Sequence, residues 1–200
     1  MKLLSILISF FILINFEVKA ENVSDWLKSE IDYILDAYKN ESFSSAKRFE
    51  YIENTINKNF AGAGIGKFVA GQAWSLADKE TKKQYIKLFK RHLALNIASM
   101  MQAYSNQTYT LFNTKIDNAN KVFLIDMEVQ DKTNKLLITW RVKESKDKFY
   151  IIDLLVADIS LVVTKRSEFN SLLKKVDYDL KDFNNTLNNQ NKISYSKLVQ

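Results

Sequence analysis

The glycines are the first residues of this chain that could do chemistry, because all four lie in one short stretch, NFAGAGIGKFVAG, residues 59–71. A phosphate-binding loop has the pattern G-x-x-x-x-G-K-[ST] between a strand and a helix. If its Gly-Lys pair is placed on Gly66 and Lys67, the first glycine falls on Ala61 and the magnesium-binding hydroxyl residue on Phe68. The dinucleotide pattern G-x-G-x-x-G also fails, at Lys67. The pattern argues against a nucleotide site, and we expect the glycines to allow a turn or a close approach between helices.

Other side chains suited to catalysis or metal binding are few. The chain has no cysteine, and His92 is its single histidine. A lone histidine beside an apolar helix face and next to Arg91 is typical of a partly exposed surface position. Asp126 and Asp153 lie in apolar segments, where a buried carboxyl group with a raised pKa could act as a general base. No partner residues accompany them, so we predict no catalytic residue, no metal site and no cofactor.

The first twenty residues have the features of a secretory signal peptide. Lys2 gives a positive start, residues 3–16 form an apolar run that is short for a membrane span, and Val18 and Ala20 occupy the small-residue positions before a cleavage site. We predict cleavage near Ala20, with Glu21 as the first mature residue. The alternative is an N-terminal membrane anchor.

The chain is basic, with 29 lysines and arginines against 23 aspartates and glutamates. In an exported protein this charge favours an anionic membrane surface or acidic partners. The positive residues are scattered over many helices, so nucleic-acid binding is not expected. After the leader, no apolar run approaches about 18 residues, and we expect a soluble mature protein.

Helical periodicity predicts amphipathic helices on both sides of the middle of the chain. They lie at 24–40, 44–60, 78–105, 166–176 and, more weakly, 178–187. In the clearest of them Asp78 is a predicted N-cap. Its apolar face consists of Tyr85, Phe89, Leu93, Ile97, Met100, Met101 and Tyr104.

Two-residue alternation predicts four antiparallel strands between these helices, joined by turns such as DNANK and QDKTNK. The strands fall within 108–116, 121–129, 135–143 and 148–164. The predicted fold is α+β: N-terminal helices, a curved four-stranded antiparallel sheet and C-terminal helices enclose an apolar pocket, as in an NTF2-like cone. We predict one domain over 21–187 and a polar, flexible tail over 188–200.

Two segments carry an ordered set of residues that is typical of a family. The first, 57–93, contains Phe60, Gly71, Trp74, Asp78, Phe89 and Leu93. The second, 148–173, contains Phe149, Asp153, Ser160, Leu161, Arg166 and Phe169. In this order and spacing the chain resembles the Mla-type periplasmic phospholipid-binding proteins, the MlaC or toluene-tolerance family. It departs from the family pattern at Asp158 and around Asp177 and Tyr178, where the family has glycine.

The resemblance implies a monomeric periplasmic binding protein and not an enzyme. Its phospholipid cargo would lie between the sheet and the helices, and no specific contact with the headgroup is required. Such a shuttle carries lipid between an outer-membrane lipoprotein complex and an inner-membrane ABC transporter, which maintains the lipid asymmetry of the outer membrane. Asp153 and Arg166 are expected to take part in a structural ion pair or network and not in a lipid contact. The alternatives are a small pocket-containing enzyme of the isomerase or dehydratase type and a non-lipid periplasmic adaptor.

The predicted lipid-binding residues come from the long helix and from one face of the sheet, and we predict them as a set. They are Phe89, Leu93, Ile97, Met101, Phe123, Ile125, Met127, Leu136, Ile138, Trp140, Ile151, Leu154 and Val156. Apolar side chains suit this task because each methylene removed from water contributes roughly 0.8 kcal/mol.

Overall fold

A computed structural model describes residues 2–104, 107–132 and 134–200 of the chain, with the backbone alone for residues 2–20. The helices are α1 (Lys2–Lys39), α2 (Ser45–Asn59), α3 (Gly62–Ala70), α4 (Gln72–Leu76), α5 (Lys79–Met101), α6 (Leu161–Lys174) and α7 (Leu180–Val199). The strands are β1 (Thr108–Asp117), β2 (Val122–Gln130), β3 (Lys135–Ser145), β4 (Lys148–Val156) and β5 (Ile159–Ser160). The α+β arrangement predicted from the sequence is confirmed, but the segment predicted as the fourth strand, 148–164, is divided into β4, the short β5 and the start of α6.

The five strands form one antiparallel sheet in the order β1-β2-β3-β4-β5. Ile125 of β2 lies opposite Trp140 of β3, which lies opposite Leu154 of β4. Because side chains alternate along a strand, this register places every second residue on one face, here called the inner face, except at one irregularity each in β1 and β4. The inner face includes Tyr109, Leu111, Thr114, Ile116, Phe123, Ile125, Met127, Val129, Leu136, Ile138, Trp140, Val142, Phe149, Ile151, Leu154 and Val156. The faces predicted for β2 and β3 are therefore confirmed.

An aromatic cluster holds the helices together. Tyr85 and Phe89 of α5 stack at 5.8 Å between ring centroids, and Phe169 of α6 lies 6.0 Å from Phe89 and 5.0 Å from Phe183 of α7. All four rings are fully buried. Aromatic rings in such offset and edge-to-face arrangements contribute to stability beyond their buried area. The cluster fixes α5, α6 and α7 as one layer.

The sequence predicted a flexible tail over residues 188–200, but helix α7 continues to Val199. Asn184 and Asn191 donate side-chain hydrogen bonds to the carbonyl groups of Thr81 and Leu88 on α5, at 3.1 and 2.9 Å. Leu198, near the end of α7, is also buried. Within this segment, the buried Asn191 takes the place of an apolar residue on the face that contacts α5, which helps to make the segment look polar in the sequence.

Helix α6 begins earlier than the sequence predicted. Residues 161–164, assigned to the fourth strand, form its first turn. Ser160 is the N-cap, and its hydroxyl oxygen accepts a hydrogen bond from Val163 N at 3.0 Å. The Asp153 carboxylate accepts a second one from Val162 N at 3.1 Å. These caps satisfy amides that a helix start leaves free, so an apolar sequence begins a helix here. The predicted N-cap at Asp78 of α5 is confirmed in the same way, since its carboxylate accepts from Glu80 N and Thr81 N.

The glycine stretch follows α2 and forms α3, so no strand precedes it. A Cβ atom added to Gly66 would lie 2.7 Å from Ile86 Cδ1 and 3.1 Å from Phe89 Cδ1, both on α5. Gly71 ends α3 with φ +56, a conformation that favours glycine. The expected roles in close helix approach and in turning the chain are therefore confirmed at these two positions.

The predicted signal peptide, residues 1–20, lies outside the residues whose side chains the structure describes, and it stays a prediction. Within the part of the chain whose side chains the structure describes, no helix is long and apolar enough to cross a membrane.

Replacing Gly66 by Ala should destabilise the protein, while Gly64→Ala should stabilise it. Alanine gains up to about 1 kcal/mol over glycine inside a helix. At Gly66 this gain is outweighed by the roughly 1–3 kcal/mol cost of overpacking, because the Phe89 ring is held by Tyr85 and Phe169 and cannot move aside. At Gly64 the added Cβ meets nothing within 4 Å. Urea unfolding of both variants measures the difference, and equal effects would contradict the close approach of α3 to α5.

Candidate functional site

An apolar cavity of about 480 Å³ lies at one end of the inner face, beneath α1 and the C-terminal end of α5. Its volume is within the range of roughly 300–1,000 Å³ that small-molecule sites occupy. Helix α1 contributes Ile31, Ile34 and Leu35, α5 contributes Ile97, Met100 and Met101, and the sheet contributes Tyr109, Met127, Val129, Leu136, Ile138 and Trp140. Ala103, Tyr104, Gln107, Thr108, Asp131 and Asn134 complete the lining from connecting segments and the start of β1.

The cavity exists because the helices do not cover the whole inner face. Along β3 the exposure of the inner-face side chains falls from 42% at Leu136 to 0% at Val142. At the covered end, Phe123, Ile125 and Val142 belong to the same buried core as the helices. Exposed apolar side chains at the other end are costly in water, so this end favours an apolar ligand.

Helix α1 closes one side of the cavity and is attached to the sheet by a hydrogen bond. Tyr109 Oη of β1 donates to Asp32 Oδ1 of α1 at 2.6 Å, and Lys28 pairs with the other carboxylate oxygen. Partial burial alone would raise the pKa of Asp32, but the hydrogen bonds from Lys28 and Tyr109 outweigh it and leave the pKa below its ordinary value. Burial and the Asp32 carboxylate raise the pKa of Tyr109. Both groups therefore keep the protonation states that the bond needs at neutral pH.

Six of the thirteen residues predicted from the sequence to bind lipid lie in the cavity wall. They are Ile97, Met101, Met127, Leu136, Ile138 and Trp140. The structure does not bring the other seven to the cavity. Phe89, Phe123, Ile125 and Ile151 are buried in the core, Leu93 and Leu154 are packed against it, and Val156 is partly exposed at the end of β4.

The apolar row on α5 explains the difference for that helix. Residues spaced by four form a row that is inclined by roughly 26° to the helix axis. Phe89 therefore faces α6 and α7, whereas Ile97 and Met101, two and three turns later, face the cavity. One apolar stripe thus serves the helical core at its beginning and the cavity at its end.

The residues of α1 that line the cavity were not predicted. Ile31 and Ile34 lie in the amphipathic helix predicted over 24–40, but the sequence contains no signal for which helix lies over the open end of the sheet. Tyr109 was not predicted to line the cavity either. It lies in a strand that the alternation predicts, but its partner Asp32 lies 77 residues earlier in the chain.

His92 lies away from the cavity, among the helices. Its Nδ1 is 3.3 Å from Asn191 Oδ1, and its ring centroid is 5.4 Å from that of Phe169. Within the described part of the chain, its Nε2 is buried without a hydrogen-bond partner. Burial, with the nearby charge of Lys165, lowers the pKa of His92 to about 4. The side chain is therefore neutral at physiological pH and acts in helix packing.

The two carboxyl groups considered as general bases also lie away from the cavity, on the opposite face of the sheet. Asp126 accepts hydrogen bonds from Asn113 Nδ2 and Thr139 Oγ1 at 2.9 and 2.7 Å. Asp153 accepts one from Ser160 Oγ at 2.6 Å. Neither can reach a molecule in the cavity. Among the described residues, no group of three histidine, aspartate or glutamate side chains could hold a metal ion.

The expected ion pair between Asp153 and Arg166 is not formed. Asp153 lies 3.6 Å from Arg141 Nη1, its neighbour across the sheet. Arg166 instead donates a hydrogen bond to the Phe68 carbonyl oxygen at 3.0 Å and lies 4.3 Å from the centroid of the Phe68 ring. The start of α6 already satisfies Asp153, and the helix directs Arg166 toward α3.

Comparison with known proteins identifies a family and a similar fold. A family model described as "MlaC protein" matches residues 28–189. Among solved structures, the chain resembles a phospholipid-binding protein from Ralstonia solanacearum determined in complex with a phospholipid. That match has a TM-score of 0.71 and 16% sequence identity, and it covers 84% of this chain and 96% of the other. No curated protein matches the sequence significantly.

His92 should make the protein less stable in mild acid. Its pKa is about 4 in the folded state and about 6.5 when unfolded, so the unfolded state binds the extra proton as the pH falls through this window. We expect a loss of about 2 kcal/mol in unfolding free energy between pH 7 and pH 5 from this one group.

Urea unfolding at both pH values, in the wild type and in His92→Gln, measures this contribution. The variant should lose about 2 kcal/mol less than the wild type between the two pH values. Because the chain has one histidine, no other imidazole contributes to the difference. Identical pH dependence in the two proteins would show that His92 is not held neutral in the fold.

Proposed function

The chain belongs to the MlaC family, and from this premise we propose that it binds a phospholipid whose acyl chain lies in the cavity between α1, α5 and the sheet. The observation that carries the proposal is the apolar cavity at the uncovered end of the inner face. The Ralstonia solanacearum protein, which has the same fold and is described in complex with a phospholipid, supports this choice of ligand.

The apolar lining can provide the affinity without a charged contact. Burying ten methylene groups contributes roughly 8 kcal/mol, which corresponds to a dissociation constant near 1 μM before ordering costs. Met100, Met101 and Met127 lie on two sides of the cavity. Their flexible, unbranched side chains can adapt to acyl chains of different length and curvature.

The lining favours a binding protein over an enzyme. Asp126 and Asp153 lie on the opposite face of the sheet, and His92 lies among the helices. The wall is mainly apolar, which excludes water from an acyl chain, and the carboxylate of Asp131 in that wall accepts a hydrogen bond from Asn134 N at 2.9 Å.

The further role is transfer of phospholipid between membranes. We place the mature protein in the periplasm, carrying lipid between an outer-membrane lipoprotein complex and an inner-membrane ABC transporter and so maintaining lipid asymmetry. The N-terminal sequence typical of a signal peptide and membership of the MlaC family support this role. An opening at Leu136, which is 42% exposed, gives a lipid a route into the cavity from outside the protein.

Replacing Ile138 by Glu should remove bound lipid, whereas Leu137→Glu should not. Ile138 lines the cavity, and a carboxylate there would be costly to bury beside an acyl chain. Leu137 is adjacent on β3 but faces the other side of the sheet, where it is 42% exposed. Native mass spectrometry and lipid extraction of the proteins purified from cells measure occupancy.

We expect phospholipid in the wild type and in Leu137→Glu, and at least a tenfold lower occupancy in Ile138→Glu, about 1.4 kcal/mol. Circular dichroism of each variant controls for folding. Wild-type protein that is empty after purification from cells, or variants that carry equal amounts of lipid, would contradict the proposed site.

A further inference from the structure

A second, polar pocket of about 300 Å³ adjoins the apolar cavity. The two share Met101 and Tyr104 in their walls, so they lie side by side. The remaining lining of the polar pocket is Tyr38, Ser45, Arg48, Gln102 and Leu198.

Arg48 is the charged group of this pocket, and its guanidinium is incompletely paired. Nη2 donates to the Asn40 carbonyl oxygen at 3.1 Å, and the guanidinium lies 5.6 Å from the centroid of the Tyr38 ring. In the described part of the chain, Nε is buried without a hydrogen-bond partner, and no carboxylate pairs with Arg48. A buried unpaired donor is unfavourable, so the site favours an added acceptor of negative charge.

The backbone around Arg48 has the same electrostatic preference. Arg48 is the fourth residue of α2, a helix of 15 residues that begins at Ser45. Ser45 also lines the pocket. The positive end of the helix dipole therefore lies beside the pocket, where the Ser44 hydroxyl oxygen already accepts a hydrogen bond from Lys47 N at 3.2 Å. A planar guanidinium can bind two oxygens of one phosphate group at once, which lysine cannot do.

We propose that Arg48 and the start of α2 bind the phosphate of the phospholipid whose acyl chain occupies the apolar cavity. This inference rests on the proposed function and adds a headgroup contact to it. The chemistry recognised is a phosphate anion, which a lipid headgroup or free inorganic phosphate could supply, and the shared wall at Met101 and Tyr104 favours the lipid.

Arg48→Gln tests the site, with Arg166→Gln as a matched control. Arg166 also stacks on one aromatic ring and donates to one backbone carbonyl, but it lines neither pocket. The ligands are phosphatidylglycerol and diacylglycerol with brominated acyl chains, which quench the fluorescence of Trp140 in the cavity wall. Comparison with Trp140→Phe identifies the part of the quenching that comes from Trp140. Inorganic phosphate alone is tested by the thermal stabilisation that it gives to lipid-free protein.

Arg48→Gln should weaken phosphatidylglycerol binding about tenfold or more and change diacylglycerol binding less than about twofold. Arg166→Gln should leave both affinities unchanged, and Arg48→Lys should restore only part of the loss. If Arg48→Gln weakens both lipids equally, or neither, the headgroup contact is wrong. If inorganic phosphate stabilises the wild type but not Arg48→Gln while lipid affinity is unaffected, the source is a free anion and the lipid proposal is overturned. Failure of both lipids to quench Trp140 would instead contradict the proposed function itself.

Discussion

Covering the inner face of the sheet is the constraint on which the rest of this structure depends. Strands β1 to β4 place apolar side chains on that face, and these side chains must be removed from water. The aromatic cluster of Tyr85, Phe89, Phe169 and Phe183 holds α5 against α6 and α7, and the helices bury only the end of the face near Val142. At the other end, α1 and the last turns of α5 line a space of about 480 Å³ above the sheet. The cavity is thus a consequence of incomplete coverage.

The polar side chains considered for catalysis lie away from the cavity, as expected for a binding protein. Asp126 and Asp153 act on the opposite sheet face, in strand contacts and in starting α6, and His92 contacts Asn191 within the helical layer. Beside the cavity, the side-chain bond between Asp32 and Tyr109 holds α1 to β1. Arg48 then stands apart as a cation with an unpaired donor next to an apolar space.

Local patterns in the sequence identified β1 to β4, α2, α5 and one face of the sheet, but they placed the start of α6 in a strand and the second half of α7 in a tail. Alternation identified which side of β2 and β3 faces inward, and the Asp78 cap located the start of α5. Patterns could not identify which end of that face stays open, because the answer depends on how α5 packs against α6 and α7. Buried amides also concealed structure: Asn191 looks like a tail residue and Asn184 lies in the weakly predicted helix before it, yet both donate to carbonyl groups of α5. Asp153 was expected to pair with Arg166, but the cap of α6 and Arg141 contact it instead.

A crystal structure of the mature protein as purified from cells tests the central claim most directly. The account predicts continuous electron density for an acyl chain between α1 and the inner face, in contact with Met101, Met127 and Ile138. Density for a lipid elsewhere on the protein, or a cavity filled by its own side chains with no ligand, would contradict it.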